Sequence, residues 1–190
     1  MSTREETPSI VRWTQALEDT SALDGAVHAL EGPVRTIFGT GTRGEVLRGD
    51  WLGHALHPVL TDVVIGSWTS ATVLDLVGGK DSATSARRLI GVGILAFGPT
   101  AWAGWAEWSN TGTREKRVGL VHVVVNAAAL GAYAASYRAR GRGRRAAGAG
   151  WALAGAAVSG VGAYLGGHLV AARKVGSRHD AYADTAGASS

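Results

Sequence analysis

A chain of 190 residues with 46% hydrophobic content is long enough for one soluble domain, but its apolar residues fall in blocks instead of spreading as a globular core requires. The absence of cysteine excludes disulfides, cysteine-ligated iron–sulfur clusters and thiolate copper sites. Lysine and arginine outnumber aspartate and glutamate by 19 to 15; the excess flanks the apolar blocks, so it reads as membrane-flanking charge and not as a nucleic-acid surface.

The amino-terminal stretch MSTREETPSIVRW is polar and acidic where a secretory signal would place basic and then apolar residues, so no such signal is expected. Residues 1–50 read as an amphipathic interfacial segment. Ile10, Val11, Thr14 and Leu17 share one helical face, and Leu23, Ala26, Val27, Leu30, Val34, Ile37 and Phe38 continue at helical spacing, with Pro33 expected to bend the second piece. Such pieces rest on lipid or cover one end of a bundle.

Four charge-poor blocks follow, and helices are predicted near 58–78, 87–108, 117–137 and 147–171. Each block holds about 18 residues or more, enough at 1.5 Å per residue to cross roughly 30 Å of hydrocarbon. The fold class is therefore all-α: an integral membrane bundle of four transmembrane helices over residues 51–172, followed by a flexible polar tail over 173–190. Trp151, Gly155, Ser159, Gly162 and Gly166 recur at three and four spacing, the pattern that lets membrane helices pack closely. Flanking Lys and Arg balance between the two membrane faces; both termini are expected on the cytoplasmic side of a bacterial inner membrane, because exporting a charged head is the harder route.

Four crossings bring polar residues to one membrane level. His54 and His57 open the first helix with Asp62 about a turn and a half inside, and the second helix returns with Glu107 among Trp102, Trp105 and Trp108. The third helix starts with His122 and Asn126, and the fourth ends with Tyr164 and His168. Imidazoles are common ligands of iron, zinc and copper, and bundles build cofactor sites from facing helices. His57, His122 and His168 form the ligand pool for haem b or a transition-metal ion, iron, copper or zinc. His54 stands in reserve, Asp62 either ligates or orients a histidine, and Asn126 and Tyr164 support the site. The competing readings are interfacial capping for His54 and His57, interhelical hydrogen bonds for His122 and His168, and an aromatic belt for the tryptophans.

The stretch LRGDWLGHALHPVLTDVVIGSWTSATVLDLVGG, with GLVHVVVNAAALGAY and GAYLGGHLV, resembles a family of small bacterial, often actinobacterial, four-helix membrane domains of unknown function. Its members carry a signature close to WLGHPLHP followed by an Asp, and some are fused to a Rieske iron–sulfur domain. The resemblance covers roughly residues 45–172; Ala55 departs from the usual proline. It implies a redox association, with a Rieske-type or other redox protein, or quinone, as partner. The expected function is electron transfer through a cofactor at the histidine cluster. A scaffold anchoring a redox enzyme is the alternative. A proton path or transporter is disfavoured because the far half of the bundle offers only Asp75 and arginines.

Overall fold

The computed structural model describes residues 7–79 and 81–177, and the elements formed by the described residues are helical. Three short helices come first: α1 (Ser9–Glu18), α2 (Asp24–Val34) with a π turn over Arg35–Gly39, and α3 (Gly41–Arg48). Four long ones follow: α4 (Leu56–Val77), α5 (Ala83–Ser109), α6 (Thr113–Gly141) and α7 (Arg145–Gly167), the last continued by a π turn over His168–Ala172. All four are long and apolar enough to cross a membrane. Val59, Val63, Ile65, Leu76, Leu95, Val124 and Leu153 are exposed along them, an outer surface suited to lipid. The helices exceed their apolar blocks because α6 continues at both ends through basic residues that find partners, as described below. The expected tail falls mainly on residues 178–190, outside the described residues.

The bundle is two hairpins. α4 packs along α5 and α6 along α7, and the hairpins close through α5 on α6 and α4 on α7. α4 and α6 thus oppose each other across the bundle and meet through large side chains. The Trp68 and Tyr133 rings stack with centroids 4.0 Å apart, and the Arg140 guanidinium clasps the Asp75 carboxylate, Nη1 to Oδ1 at 2.9 Å. Stacking of this kind adds about 0.5–1.5 kcal/mol to area burial.

These pairs expose an internal repeat. The intervals from His57 to Trp68 to Asp75 in α4 are the intervals from His122 to Tyr133 to Arg140 in α6. Burial follows the same register: Val64, Trp68 and Ala71 in α4 match Ala129, Tyr133 and Ser136 in α6, while Ala86, Ile90, Gly93, Thr100 and Ala103 in α5 match Gly148, Ala152, Gly155, Gly162 and Leu165 in α7. Each large ring lies on a glycine of its own hairpin, Trp68 on Gly93 and Tyr133 on Gly155. The hairpins are related by an approximate two-fold along the bundle axis, and each central pair joins equivalent positions.

α1, α2 and α3 cover one end of the bundle. Val27 and Val34 of α2 pack with Trp108 of α5, with Leu30, Phe38, Trp105 and Leu120 around them. The face of α1 turned inward is Thr14 with Glu18, flanked by half-buried Val11 and Leu17; of the expected face only Ile10 is exposed. Charge draws Glu18 inward: the bundle end is basic, and α1 and α2 offer it acids. Glu18, 1% exposed, accepts from Arg173 and lies 2.6 Å from His168 Nε2. Arg117 donates to both Asp24 oxygens at 2.7 and 2.8 Å and to the Glu18 carbonyl, Lys116 pairs with Glu31, and Arg114 with Asp19. Hydrogen bonds from Arg117 and Lys116 hold the Asp24 and Glu31 carboxyls below the usual range.

Candidate functional site

The chain enters α4 through two left-handed glycines, Gly49 (φ 82°) and Gly53 (φ 72°), which other residues adopt only with strain. A side chain at Gly49 would also collide with the Leu56 backbone. The turn sets His57 and Pro58 in the first turn of α4; helix formation starts at Leu56, so Pro58 is the third helical residue, where its missing N–H still costs nothing.

His57 and His122 are placed by one device used twice. His57 Nδ1–H donates to the Thr100 carbonyl of α5 at 2.8 Å, and His122 Nδ1–H donates to the Gly162 carbonyl of α7 at 3.0 Å. Four residues beyond each carbonyl, one turn along the same helix face, stands a glycine. A Cβ on Gly104 would lie 2.9 Å from His57 Cε1, and one on Gly166 would lie 3.0 Å from His122 Cε1. A helix carbonyl followed at i+4 by glycine is open to a ring from the neighbouring helix; with any larger residue it is shielded.

The carbonyls fix the tautomer. Each imidazole carries its proton on Nδ1 and keeps the lone pair on Nε2. The ring centroids are 6.3 Å apart at 74°. Asn126, one turn beyond His122, donates from Nδ2 to the His122 carbonyl at 2.8 Å and to its Nε2 at 3.2 Å. Thr61, in the equivalent place beyond His57, donates only to the His57 carbonyl, also at 2.8 Å. Both rings border a cavity of about 400 Å³ between the four helices, whose lining includes Asp62, Glu107, Asn126 and Ser159. The Ser159 hydroxyl is buried there without a hydrogen-bond partner.

The remaining expected site residues lie elsewhere. His168, on the π turn after α7, is held by Glu18 of α1 and does not join the other two. His54 is exposed on the approach loop, its Nδ1 3.4 Å from the Leu52 carbonyl, and does not line the cavity. Asp62 lines the cavity with its side chain exposed. Tyr164 faces outward from α7, as does Trp102 in the equivalent place on α5, the arrangement of an aromatic belt. Among the described residues, no group of three or more His, Cys, Asp or Glu is placed to hold a metal ion. Thr100, Gly104, Gly162 and Gly166 escape a search for titratable residues, since they act through backbone and absent side chains. The signal that finds them is the repeated interval, His to aromatic in α4 and α6, Gly to Gly in α5 and α7.

A family described as predicted membrane protein (DUF2231) matches residues 53–179 of the chain. No curated protein and no solved structure matches it.

Proposed function

The chain belongs to the DUF2231 family of predicted membrane proteins, and on that premise we propose a multi-pass redox protein that holds haem b, or a single transition-metal ion, between His57 and His122. The observation that carries this reading is the pair itself. Two imidazoles from opposite helices, each with Nδ1–H on a backbone carbonyl and Nε2 unprotonated, have the arrangement of metal-ligating histidines, in which the second nitrogen orients the ring and raises its basicity. His57 and His122, with ring centroids 6.3 Å apart, would hold the metal through their Nε2 atoms, and the bound metal would supply one-electron chemistry.

In this reading Asn126 and Asp62 tune the site from its edge, and His168 locks the amino-terminal helices in place instead of ligating. A bound iron or copper would exchange single electrons with a Rieske-type or other redox protein, or a quinone, at the membrane face covered by α1–α3. The membrane is a bacterial inner membrane with that face cytoplasmic, which single cysteines at Ser9 and Ser177, labelled from one side, would establish.

The test is an absorption spectrum and metal analysis of protein purified from cells supplied with iron, haem, copper and zinc. His57→Ala or His122→Ala is expected to abolish the bound cofactor, and His54→Ala and His168→Ala to retain it. Wild-type protein that is colourless and metal-free would replace this reading with a scaffold that anchors a redox partner.

A further inference from the structure

The end of the bundle opposite the histidines carries a second concave site. Arg87 and Arg88 of α5, Arg140 of α6 and Arg145 of α7 converge with Thr84 and Tyr137 around a cavity of about 340 Å³. Asp75 gives both carboxylate oxygens to Arg140, so its charge is already matched within the bundle. Arg87 is held in place by its surroundings: its guanidinium lies 4.3 Å over the Tyr137 ring, and a Cβ on Gly141 would stand 3.1 Å from its Nη2. Its Nε is nevertheless buried with no hydrogen-bond partner. A buried guanidinium N–H left unpaired is costly, and a preorganised arginine fork matches the oxygens of a phosphate.

Two helix N-termini add to this. α5 starts at Ala83 and α7 at Arg145, both at the rim of the cavity, and neither has a side-chain cap. The dipoles of both helices favour an anion in the same space, although the Arg145 N–H itself is taken by the Gly143 carbonyl at 3.0 Å. The level is also right, because both residues begin candidate membrane spans, the depth at which lipid phosphates lie.

We infer that Arg87, Arg88 and Arg145 form a binding site for a phosphate group on the face opposite the histidine pair, beside the internally matched Arg140–Asp75 pair. The phosphate belongs either to the headgroup of an anionic phospholipid or to inorganic phosphate in the aqueous phase. The cavity has room for a glycerophosphate head beyond the phosphate itself. The site is independent of any cofactor at His57 and His122.

Full-length protein is compared with Arg88→Gln, with Arg87→Gln/Arg88→Gln, and with Arg138→Gln/Arg142→Gln, which removes two charges from the neighbouring segment outside the cavity. Arg88 is exposed, so its substitution leaves folding intact. Bound phospholipid is read by native mass spectrometry after reconstitution in phosphatidylcholine bilayers with and without phosphatidylglycerol. Inorganic phosphate is read by thermal unfolding in detergent against chloride at equal ionic strength. Retention of phosphatidylglycerol by the wild type, reduced roughly fivefold for each cavity arginine removed and unchanged in the Arg138/Arg142 variant, assigns the lipid. Protection by inorganic phosphate that the Arg87/Arg88 variant loses, without a lipid adduct, assigns the free anion to the same site. Binding of neither, or an equal loss in the Arg138/Arg142 variant, overturns the inference.

Discussion

The two hairpins of the bundle share a frame and differ at its ends. In both, a histidine in the first helix reaches a carbonyl in the second, an aromatic ring lies on a glycine, and the buried positions keep one register. At the covered end Thr61 stands against Asn126, Asp62 against Ala127, Trp105 against Gly167 and Ala106 against His168, and at the other end Asp75 stands against Arg140. Positions facing the other hairpin are restrained by packing across the axis. Positions at the covered end answer to separate tasks, since α5 seats α2 through Trp105 and Trp108 while the π turn after α7 seats α1 through His168. The two imidazoles are therefore alike in placement and unlike in surroundings, because only His122 has an amide donor at Nε2.

The strongest way to break the shared frame is at its charged pair. Asp75 and Arg140 occupy equivalent positions with side chains 10% and 3% exposed. Asp75→Ala leaves a buried guanidinium without its carboxylate and is expected to cost about 3–5 kcal/mol in unfolding experiments in detergent. Because the positions are equivalent, the exchange Asp75→Arg/Arg140→Asp should recover most of that loss. A double variant no more stable than Asp75→Ala would remove the two-fold description.

The glycines that carry the aromatic rings come next. Gly93→Leu and Gly155→Leu are each expected to destabilise by about 1–3 kcal/mol, since a side chain at either meets a ring of the Trp68–Tyr133 stack. Gly66 and Gly131, also equivalent, have open space around their Cβ positions, and alanine there should be neutral or slightly stabilising. Melting curves in which only one hairpin is sensitive would show that the register match has no energetic counterpart.

The inequivalence of the histidines predicts a milder effect. Asn126→Ala should strengthen cofactor binding by up to about tenfold, because the amide donates into the Nε2 lone pair that an ion would take and has to be displaced first. Thr61→Ala should change it far less, because Thr61 touches only the backbone of His57. Titration of the cofactor into both variants makes the comparison, and equal affinities in the two would deny the amide a special role.

Acid should act least, and only on the covered end. Asp24 and Glu31 have carboxyl pKa values lowered by their bonds to Arg117 and Lys116. Their contribution to docking α2 is full above the ordinary carboxylate range and declines as pH falls through the lowered values. Protection of the α2 amides, taken relative to their intrinsic exchange at each pH, should therefore be constant from neutral pH down to that range and fall below it, with the four long helices still protected. Protection that instead falls on going from neutral to alkaline pH would assign the docking to other groups.

Much of the architecture is legible in the sequence. The charge-poor blocks mark α4–α7 to within a few residues, because hydrocarbon leaves a long backbone no alternative to helix. The helix ends are misjudged where basic residues such as Lys116 and Arg140 extend α6 beyond the expected 117–137, since whether a charge ends a span depends on its partner. The amino-terminal stripe is legible as amphipathic with Thr14 on its inner face, but Glu18 is not: it turns inward because Arg173 and His168 wait for it, and neither lies near it in sequence.

At the candidate site the sequence places His57, His122 and His168 at one depth, and depth is a property of helix rise alone. Which of them meet depends on azimuth and on neighbours, and these arise only when helices pack. The tertiary structure brings His57 to His122 through carbonyls opened by Gly104 and Gly166, and draws His168 to a carboxylate 150 residues away. Hydrophobic length is written locally and survives in any arrangement of the helices; the partner of a buried polar atom is a long-range contact, and only the assembled bundle selects it.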